Sequence, residues 1–581
     1  MHVISWNLRG ANGRKKQQVV RLLRSRFRMD MILIQESKIS KFDGRVAEAM
    51  WGNEKASFGF VDAEGNKGGL IILWDPEFMK VIKEVKGKGF ILLHGSVVYS
   101  QQEILINFVN VYAPSGEKEK LQLWEELVEL KGVFEGEWVI GGDFNSVLVE
   151  EERRGSCFNK KDAIMFHEAI QALGVLDLPL RGRKYTWGNK NGASRLDRFL
   201  ISPGVVSLWP KLEQRGLDKG PSDHAAIALA EEDKFWGRKP CRILDVWLDQ
   251  PGIKDMISGA WKSSEDKGWK GYSIQKKLSR VRRVLAQWNK NKFGDVRSKL
   301  RRAGVEWERL SLLQDSRGLS EEESLRKEAL RKRIWHLEVL DERIWRQKSR
   351  IRWLKEGDLN TKYFHRAAIW RTKTNEIASI KVNDVWLEDP LLIKSAAQDH
   401  FAALFKKEDH CCWSLKDMLF DSLNDNQRRF LERQISVEEI IATLKDCDGS
   451  KAPGPDGFNM KFFKKFWGQI SDEVVGFMEE FWKNGRLPEG INRTFLVLIP
   501  KKPHPQCFDD FRPISLVNSI YKLLAKCLTR RLSEVLPLLI SQNQSAFIAN
   551  RSILDVIMVT NELIHTLKME KRAALIIKLD F

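Results

Sequence analysis

The sequence predicts an α/β protein in three segments: an α/β domain over 1–230, a basic, mainly helical linker over 231–435, and a second α/β segment over 436–581. Three observations predict this. Short β-branched runs alternate with amphipathic stretches in the first 230 residues. Beyond about 235, helical periodicity with dense Trp, Lys and Arg replaces that alternation. From Ser436 onward, capped helices and turn-rich loops return.

In the first segment, His2–Trp6, Met31–Gln35, Gly69–Trp74, Ile104–Tyr112 and Trp138–Gly141 are apolar runs bounded by Gly, Asn or Pro, and predict strands. Lys15–Arg26 sets Val19, Val20, Leu22 and Leu23 on one side with basic residues opposite, which predicts a helix. Lys118–Leu130 and Asp162–Leu173 follow the same pattern. Asn7, Glu36, Tyr112 and Asp143 each fall at the C-terminal end of a predicted strand. Strand ends converge at one rim of a sheet, where α/β folds build their sites.

With 43% hydrophobic and 30% charged residues the chain reads as globular, and its net charge of +19 points to a polyanionic partner. Residues 276–355 hold 24 Lys and Arg against 11 Asp and Glu, so most of the excess lies in one stretch. The seven cysteines form no C-x-x-C pair, which argues against a zinc or disulfide framework and for a reducing intracellular compartment. Met1–Trp6 has no signal-peptide character and no apolar run approaches a membrane span. A nuclear or cytoplasmic protein without a membrane partner is therefore expected.

In the middle segment, Leu330, Ile334, Leu337 and Ile344, and likewise Leu278, Val281, Leu285 and Trp288, recur at helical spacing among Lys and Arg. Arg350–Asp358 and Thr361–His365 alternate cations with aromatics. That pattern fits phosphate pairing and base stacking, and equally a helix with its Trp and Phe in a core. Glu408–Ser414 reads as a loop. The last segment opens on a capping-box-like Ser436, followed by the turn-rich loop Lys451–Gly457 and a strand over Arg493–Pro500. Phe511–Leu516 leads into a helix over Ser519–Glu534, and Ala574–Leu579 reads as a final strand. A strand stopping at Phe581 suggests a truncated domain.

Hydrolysing a phosphodiester requires a cation for the oxygens, an activated water and a donor for the leaving oxygen. Glu36, Asn7 and Asp223 are suitable ligands for a hard divalent ion. Asp143 beside Asn145 offers a base and an amide. His224, oriented by Asp197, would grip the phosphate as a cation, and Tyr112 could bond the same group. Each fragment alone is unspecific; their joint occurrence at strand ends is the signal.

Asn7, Glu36, Tyr112, Gly142-Asp143-Phe144-Asn145, Ser194-Arg195-Leu196-Asp197 and Ser222-Asp223-His224 resemble the endonuclease/exonuclease/phosphatase superfamily, above all the apurinic-type endonucleases of non-LTR retrotransposons. The resemblance implies an αββα sandwich with magnesium or manganese at its rim. It implies Glu36 and Asn7 as metal ligands, Asp143 in proton transfer, Asn145 and Tyr112 on the phosphate, and Asp197, His224 and Asp223 completing the site. Many repair members carry an acidic residue where this chain has Arg9. Lys184–Gly188 resembles a DNA-contacting segment, so Thr186, Trp187 and Arg195 are expected DNA contacts; an ordinary strand with a buried Trp fits the same residues.

Leu498–Lys502, Arg512–Leu516, Gln544–Phe547, the Ala452–Gly457 loop and the 350–365 stretch resemble the linker and fingers of LINE-type reverse transcriptases, plant ones especially. The resemblance places Lys501 and Arg512 near nucleotide and template, and makes Asp580 the first palm aspartate. With no second aspartate cluster, no polymerase activity is expected of this sequence. The overall expectation is a retrotransposon endonuclease with DNA and the element RNA as partners. A repair endonuclease, a phosphatase or lipid phosphodiesterase, and an inactive nucleic-acid-binding relic are the rivals.

Overall fold

Each of the five apolar runs forms a strand, because a β-branched run with alternate faces buried fits a pleated sheet packed on both sides. A computed structural model of the chain describes every residue except 53–55, 65–66, 100–101, 233–235, 264–267, 351–360, 378, 407–420, 503–504, 542–543, 549, 576 and 578–581. The strands are β1 (His2–Asn7), β2 (Met31–Gln35), β3 (Ser57–Glu64), β4 (Lys67–Trp74), β5 (Met79–Gly87), β6 (Phe90–Tyr99), β7 (Gln102–Tyr112) and β8 (Glu137–Asp143). They continue as β9 (Arg153–Arg154), β10 (Leu176–Asp177), β11 (Leu180–Arg181), β12 (Trp187–Gly188), β13 (Ala193–Ser194), β14 (Asp197–Ile201), β15 (Leu212–Gly216) and β16 (Ile227–Glu231). The expected helices appear as α1 (Arg14–Phe27), α3 (Glu117–Val133) and α4 (Lys160–Ala172); α2 (Gly44–Trp51), capped by Asp43, had no sequence forecast.

Two mixed sheets result. One runs β11-β15-β16-β1-β2-β4-β3, the other β10-β14-β8-β7-β6-β5, and β12-β13-β9 form a small third. Alternation along β1 and β2 turns Val3, Met31 and Leu33 toward the second sheet, where they meet Ile91, Leu93, Phe108, Val139 and Phe199. Ile4, Trp6, Ile32 and Ile34 face outward under Val20 of α1 and Ala47, Met50 and Trp51 of α2. On the other side, Leu123, Trp124 and Leu127 of α3 and Phe166 of α4 cover Phe90, Leu92, Val109 and Val111. The layers are therefore α/β/β/α, as the resemblance implied. A buried polar clamp crosses the inner interface. Asn110 of β7 donates to the carbonyls of Ile34 and Ile71 in the opposite sheet, both at 3.0 Å, and accepts from Gln35 Nε2 at 2.6 Å.

The chain divides into two units, Met1–Arg238 with Lys348–Lys406 and Leu498–Pro513, and Lys239–Gln347 with Lys407–Val497 and Ile514–Phe581. In the first unit, the helix Thr361–Thr374 packs on the sandwich. Ile369 joins the core between the sheets, and Lys373 Nζ donates to the carbonyls of Pro210 and Leu212, both at 3.0 Å. Tyr363 is exposed and Phe364 buried. Residues 351–358 of the aromatic–cation stretch lie outside the described residues.

The second unit gathers the helices Ile253–Lys262, Lys270–Trp288, Val437–Asp446, Trp467–Asn484 and Ser519–Leu539 around one core. Leu278, Val281 and Leu285 point into that core, and Ser436 caps Val437–Asp446 through Glu439 N. Lys451–Gly457 is a docking loop: Asp456 Oδ2 accepts the Ser519 amide at 2.6 Å, capping Ser519–Leu539. A Cβ on Gly454 would lie 2.4 Å from the Val517 carbonyl, so glycine is needed there. Phe511–Val517 is a strand paired with Thr494–Pro500. Of the forecast strand Ala574–Leu579, residues 574, 575 and 577 carry no strand and the rest lie outside the described residues. Glu408–Ser414 lies outside them too. No helix among the described residues is long and apolar enough to cross a membrane.

Candidate active site

Register builds the site. Parallel pairing sets Asn7 beside Gln35, so Glu36 follows immediately beyond the strand end, and the pairing of β7, β8 and β14 puts Tyr112, Asp143 and Asp197 in one row. The buried Asn7 then ties the two sheets' contributions together. Its Nδ2 donates to Glu36 Oε1 and to Asp143 Oδ2, both at 3.0 Å. Tyr112 OH donates to the same Glu36 oxygen at 3.0 Å. Burial, then the Glu36 charge and hydrogen bond, push the Tyr112 phenol up, so Tyr112 is a neutral donor. Asn145 sits at φ 47°; its backbone N–H donates to Asp143 Oδ1 and its Nδ2 to the Ala113 carbonyl.

His224 completes the row from the segment before β16. Its Nδ1 lies 3.0 Å from Asp197 Oδ2, and its Nε2 lies 3.8 Å from Asp143 Oδ2. Burial alone would lower the imidazole's pKa. The charge and hydrogen bond of Asp197, followed by Asp143 and Asp223, outweigh burial and raise it to about 9. At neutral pH His224 is a cation held in place by Asp197. Burial, with the Asp197 charge, raises Asp143 well above the usual carboxylate range, and His224, Asn7 and Asn145 oppose that rise.

The sign of the resulting pH dependence is definite. A folded-state pKa of about 9 against an ordinary 6.5 gives stability that is whole below pH 6.5 and is lost as pH rises through 9. The urea midpoint of the metal-free chain should therefore fall across that window by more than in His224→Gln, the difference approaching about 3 kcal/mol at most. Parallel curves for the two would contradict it.

Asp223 lies at the edge of the cleft. Its Oδ2 accepts from Trp187 Nε1 at 2.9 Å and pairs with Arg9 Nη1 at 2.8 Å, whereas its Oδ1 is buried without a hydrogen bond. An orphaned carboxylate oxygen suits a hard divalent ion. Asp143, Asp197 and His224 also bring one ligand atom each within 4.8 Å of one another, a cluster that could hold a metal. Glu36 and Asp223, with Arg9 between them, make a second candidate seat. Asn7, expected as a ligand, turns its N–H to the carboxylates while its Oδ1 accepts the Arg9 amide at 3.1 Å. It holds Glu36 in place.

The chain matches two sequence families, and the residues of this site all lie within the first. Residues 4–224 match the Endonuclease/Exonuclease/phosphatase family, and residues 499–581 match Reverse transcriptase (RNA-dependent DNA polymerase). An endonuclease/exonuclease/phosphatase domain thus precedes a reverse transcriptase domain. The chain is 25% identical over 565 residues to the Transposon TX1 uncharacterized 149 kDa protein of Xenopus laevis, covering 89% of this chain and 41% of that protein. Solved structures similar to it include AP endonuclease LMAP from Leishmania major, at 17% identity over 39% of this chain and 86% of that one, TM-score 0.32. The endonuclease domain of TRAS1, a telomere-specific non-LTR retrotransposon, is 15% identical over 39% of this chain and 96% of that one, TM-score 0.29.

Within the endonuclease/exonuclease/phosphatase domain, Glu36, Asn7, Tyr112, Asp143, Asn145, Asp197 and His224 converge in one polar network, which Asp223 joins through Arg9. Trp187 reaches it through Asp223, so its indole orients that acid. Two expected DNA contacts are corrected. Thr186 is fully buried, its Oγ1 accepting the Leu196 and Asp197 amides. Arg195 is buried against Glu152 and Asp177, where no phosphate can reach it. Lys501 and Arg512 are exposed in the reverse transcriptase segment, and Asp580 lies outside the described residues. Sequence reasoning missed Lys120. This buried lysine donates to the Asn145 carbonyl, Ser146 Oγ and Asp162 Oδ1 at 2.7–2.8 Å and so fixes the loop after Asp143.

Proposed function

We propose that the chain is a divalent-metal-dependent DNA endonuclease of a LINE-type retrotransposon, nicking one strand to leave a 3′-hydroxyl from which the element RNA is copied. The observation that carries this reading is the convergence of Glu36 and Asp143 on the Asn7 amide, with the Asp197-held imidazolium 3.8 Å from Asp143. Magnesium or manganese held by Glu36 and Asp223 would supply positive charge to the phosphate. Asp143, a buried carboxylate of raised pKa, takes the proton of the attacking water. His224 Nε2–H donates to a phosphate oxygen, the Tyr112 hydroxyl turns from Glu36 to the phosphate when substrate binds, and Asn145 holds Asp143 through its backbone amide. The water oxygen bonds to phosphorus as the P–O3′ bond breaks, and the leaving O3′ takes a proton from a solvent water, giving a 5′-phosphate and a 3′-hydroxyl. Basic helices over 270–349 offer phosphate contacts to DNA or RNA, which high salt would weaken.

The test is nicking of supercoiled plasmid by the full chain with magnesium, beside Glu36→Ala and His224→Ala. Nicks that a DNA polymerase extends without end trimming, on intact duplex as well as abasic duplex, support the proposal. Equal nicking by parent and variants sinks the assignment, and cleavage confined to abasic duplex favours a repair enzyme.

A further inference from the structure

Arg9 follows the strand end that carries Asn7, and the fold holds it there. Beyond β1 and β2 the two chains stay zipped by backbone bonds: Leu8 N to Gln35 O at 3.1 Å, Gly10 N to Glu36 O and Ala11 N to Ser37 O, both at 2.7 Å. Arg9, Glu36 and Lys38 all adopt left-handed φ values of 47°, 48° and 54° within this zip. Such backbone costs energy in non-glycine residues and persists only where surrounding contacts over-determine it. Lys16 Nζ adds bonds to the Leu8 and Arg9 carbonyls at 2.6 and 3.2 Å. The guanidinium that results reaches Asp223 Oδ2 at 2.8 Å and stands 3.9 Å from Glu36 Oε1. Lys38 Nζ lies 3.8 Å from the other Glu36 oxygen.

We propose that Arg9 is a tethered cation occupying the Glu36–Asp223 seat in competition with the divalent ion, and so sets a weak metal affinity in the absence of DNA. The proposal rests on the metal-dependent reading above. Arg9 pairs with Asp223 and stands beside Glu36, with Lys38 next to the other Glu36 oxygen, so a divalent ion entering this seat meets a resident cation. With Arg9 swung away the Glu36 and Asp223 carboxylates are open to one divalent ion, whose charge they match. The Arg9 side chain is 48% exposed, so solvent accepts it on displacement. A DNA phosphate arriving at the cleft is an equally good acceptor for the freed guanidinium, which makes metal and DNA binding mutually favourable.

Manganese binding to the full chain, followed by calorimetry or by the loss of the free-ion paramagnetic resonance signal without DNA, tests this. Arg9→Gln should tighten binding by about tenfold, the factor a single neighbouring charge gives near a protein surface. Arg9→Lys, which keeps the charge, should stay near the parent, and Glu36→Gln should weaken binding. Unchanged or weaker binding in Arg9→Gln, with Glu36→Gln still impaired, overturns the role of Arg9 and leaves the metal reading intact. Unchanged binding in Glu36→Gln overturns the metal reading itself. A merely structural Arg9 would lower the melting temperature of Arg9→Gln without tightening manganese binding.

Discussion

Asp143→Asn is expected to lower the single-turnover nicking rate by about 10³-fold while leaving the circular dichroism spectrum unchanged. The amide keeps the shape of the carboxylate, and its one oxygen keeps either the Asn7 or the Asn145 donor, so one hydrogen bond is lost while the surrounding strands hold the fold. What it cannot do is take a proton. The carboxylate is suited to that task because burial and the neighbouring Asp197 raise its pKa, while His224 and two amides keep it ionisable. The same substitution removes one negative charge from the cleft, so DNA should bind Asp143→Asn at least as tightly as the parent. A rate within tenfold of the parent would place the general base elsewhere. The pH profile of the parent carries the matching signature. The rate should rise through a pKa above the usual carboxylate range and fall as His224 loses its proton near pH 9.

The residues of the cleft were legible in the sequence because each is polar and sits directly after an apolar run, where a strand must end. Asn7, Glu36, Tyr112 and Asp143 follow from that rule alone, since register then aligns strand ends without further information. Partnership was less legible. Arg195 looks like a phosphate contact on charge alone, and only β10 and the Glu150–Glu152 turn, distant in sequence, supply the two carboxylates that bury it. Lys120 reads as one of many charged residues on an amphipathic helix; its burial depends on α4 presenting Asp162 across the loop. Asn110 lies in the middle of an apolar strand, and its partners belong to a sheet that sequence periodicity cannot place opposite it. The strands β5 and β14 went unread for opposite reasons. β5 exposes Lys and Glu along a sheet edge, whereas β14 is buried along its whole length and shows no alternation. The helix Thr361–Thr374 was assigned to a linker because its composition is basic, yet its apolar face finds the sandwich.

Glu152→Ala is expected to destabilise the first unit by about 3–5 kcal/mol, the usual cost of stranding a buried charge. Glu152 and Asp177 face Arg195 and Arg198 in a cluster that is 0–2% exposed at the arginines and at most 8% at the acids. Arg195 Nη1 meets Glu152 Oε1 at 2.8 Å and Nη2 meets Asp177 Oδ1 at 2.7 Å. Arg198 Nη1 meets Asp177 Oδ2 at 2.6 Å and Nη2 pairs with Glu152 Oε2. Two positive charges are balanced by two negative ones, so deleting Glu152 leaves one guanidinium charge buried and uncompensated. The consequence reaches the active site, because Arg195 and Arg198 flank Leu196-Asp197 and anchor the start of β14, which presents Asp197 to His224. Urea unfolding of Glu152→Ala should show the loss, with reduced nicking from the folded fraction. Charge balance, not volume, decides the effect, so the double variant Glu152→Met/Arg198→Met should recover part of the stability that either single change forfeits. Additive losses in the double variant would mean that packing around Phe166 and the β10 turn, and not ionic compensation, holds this region together.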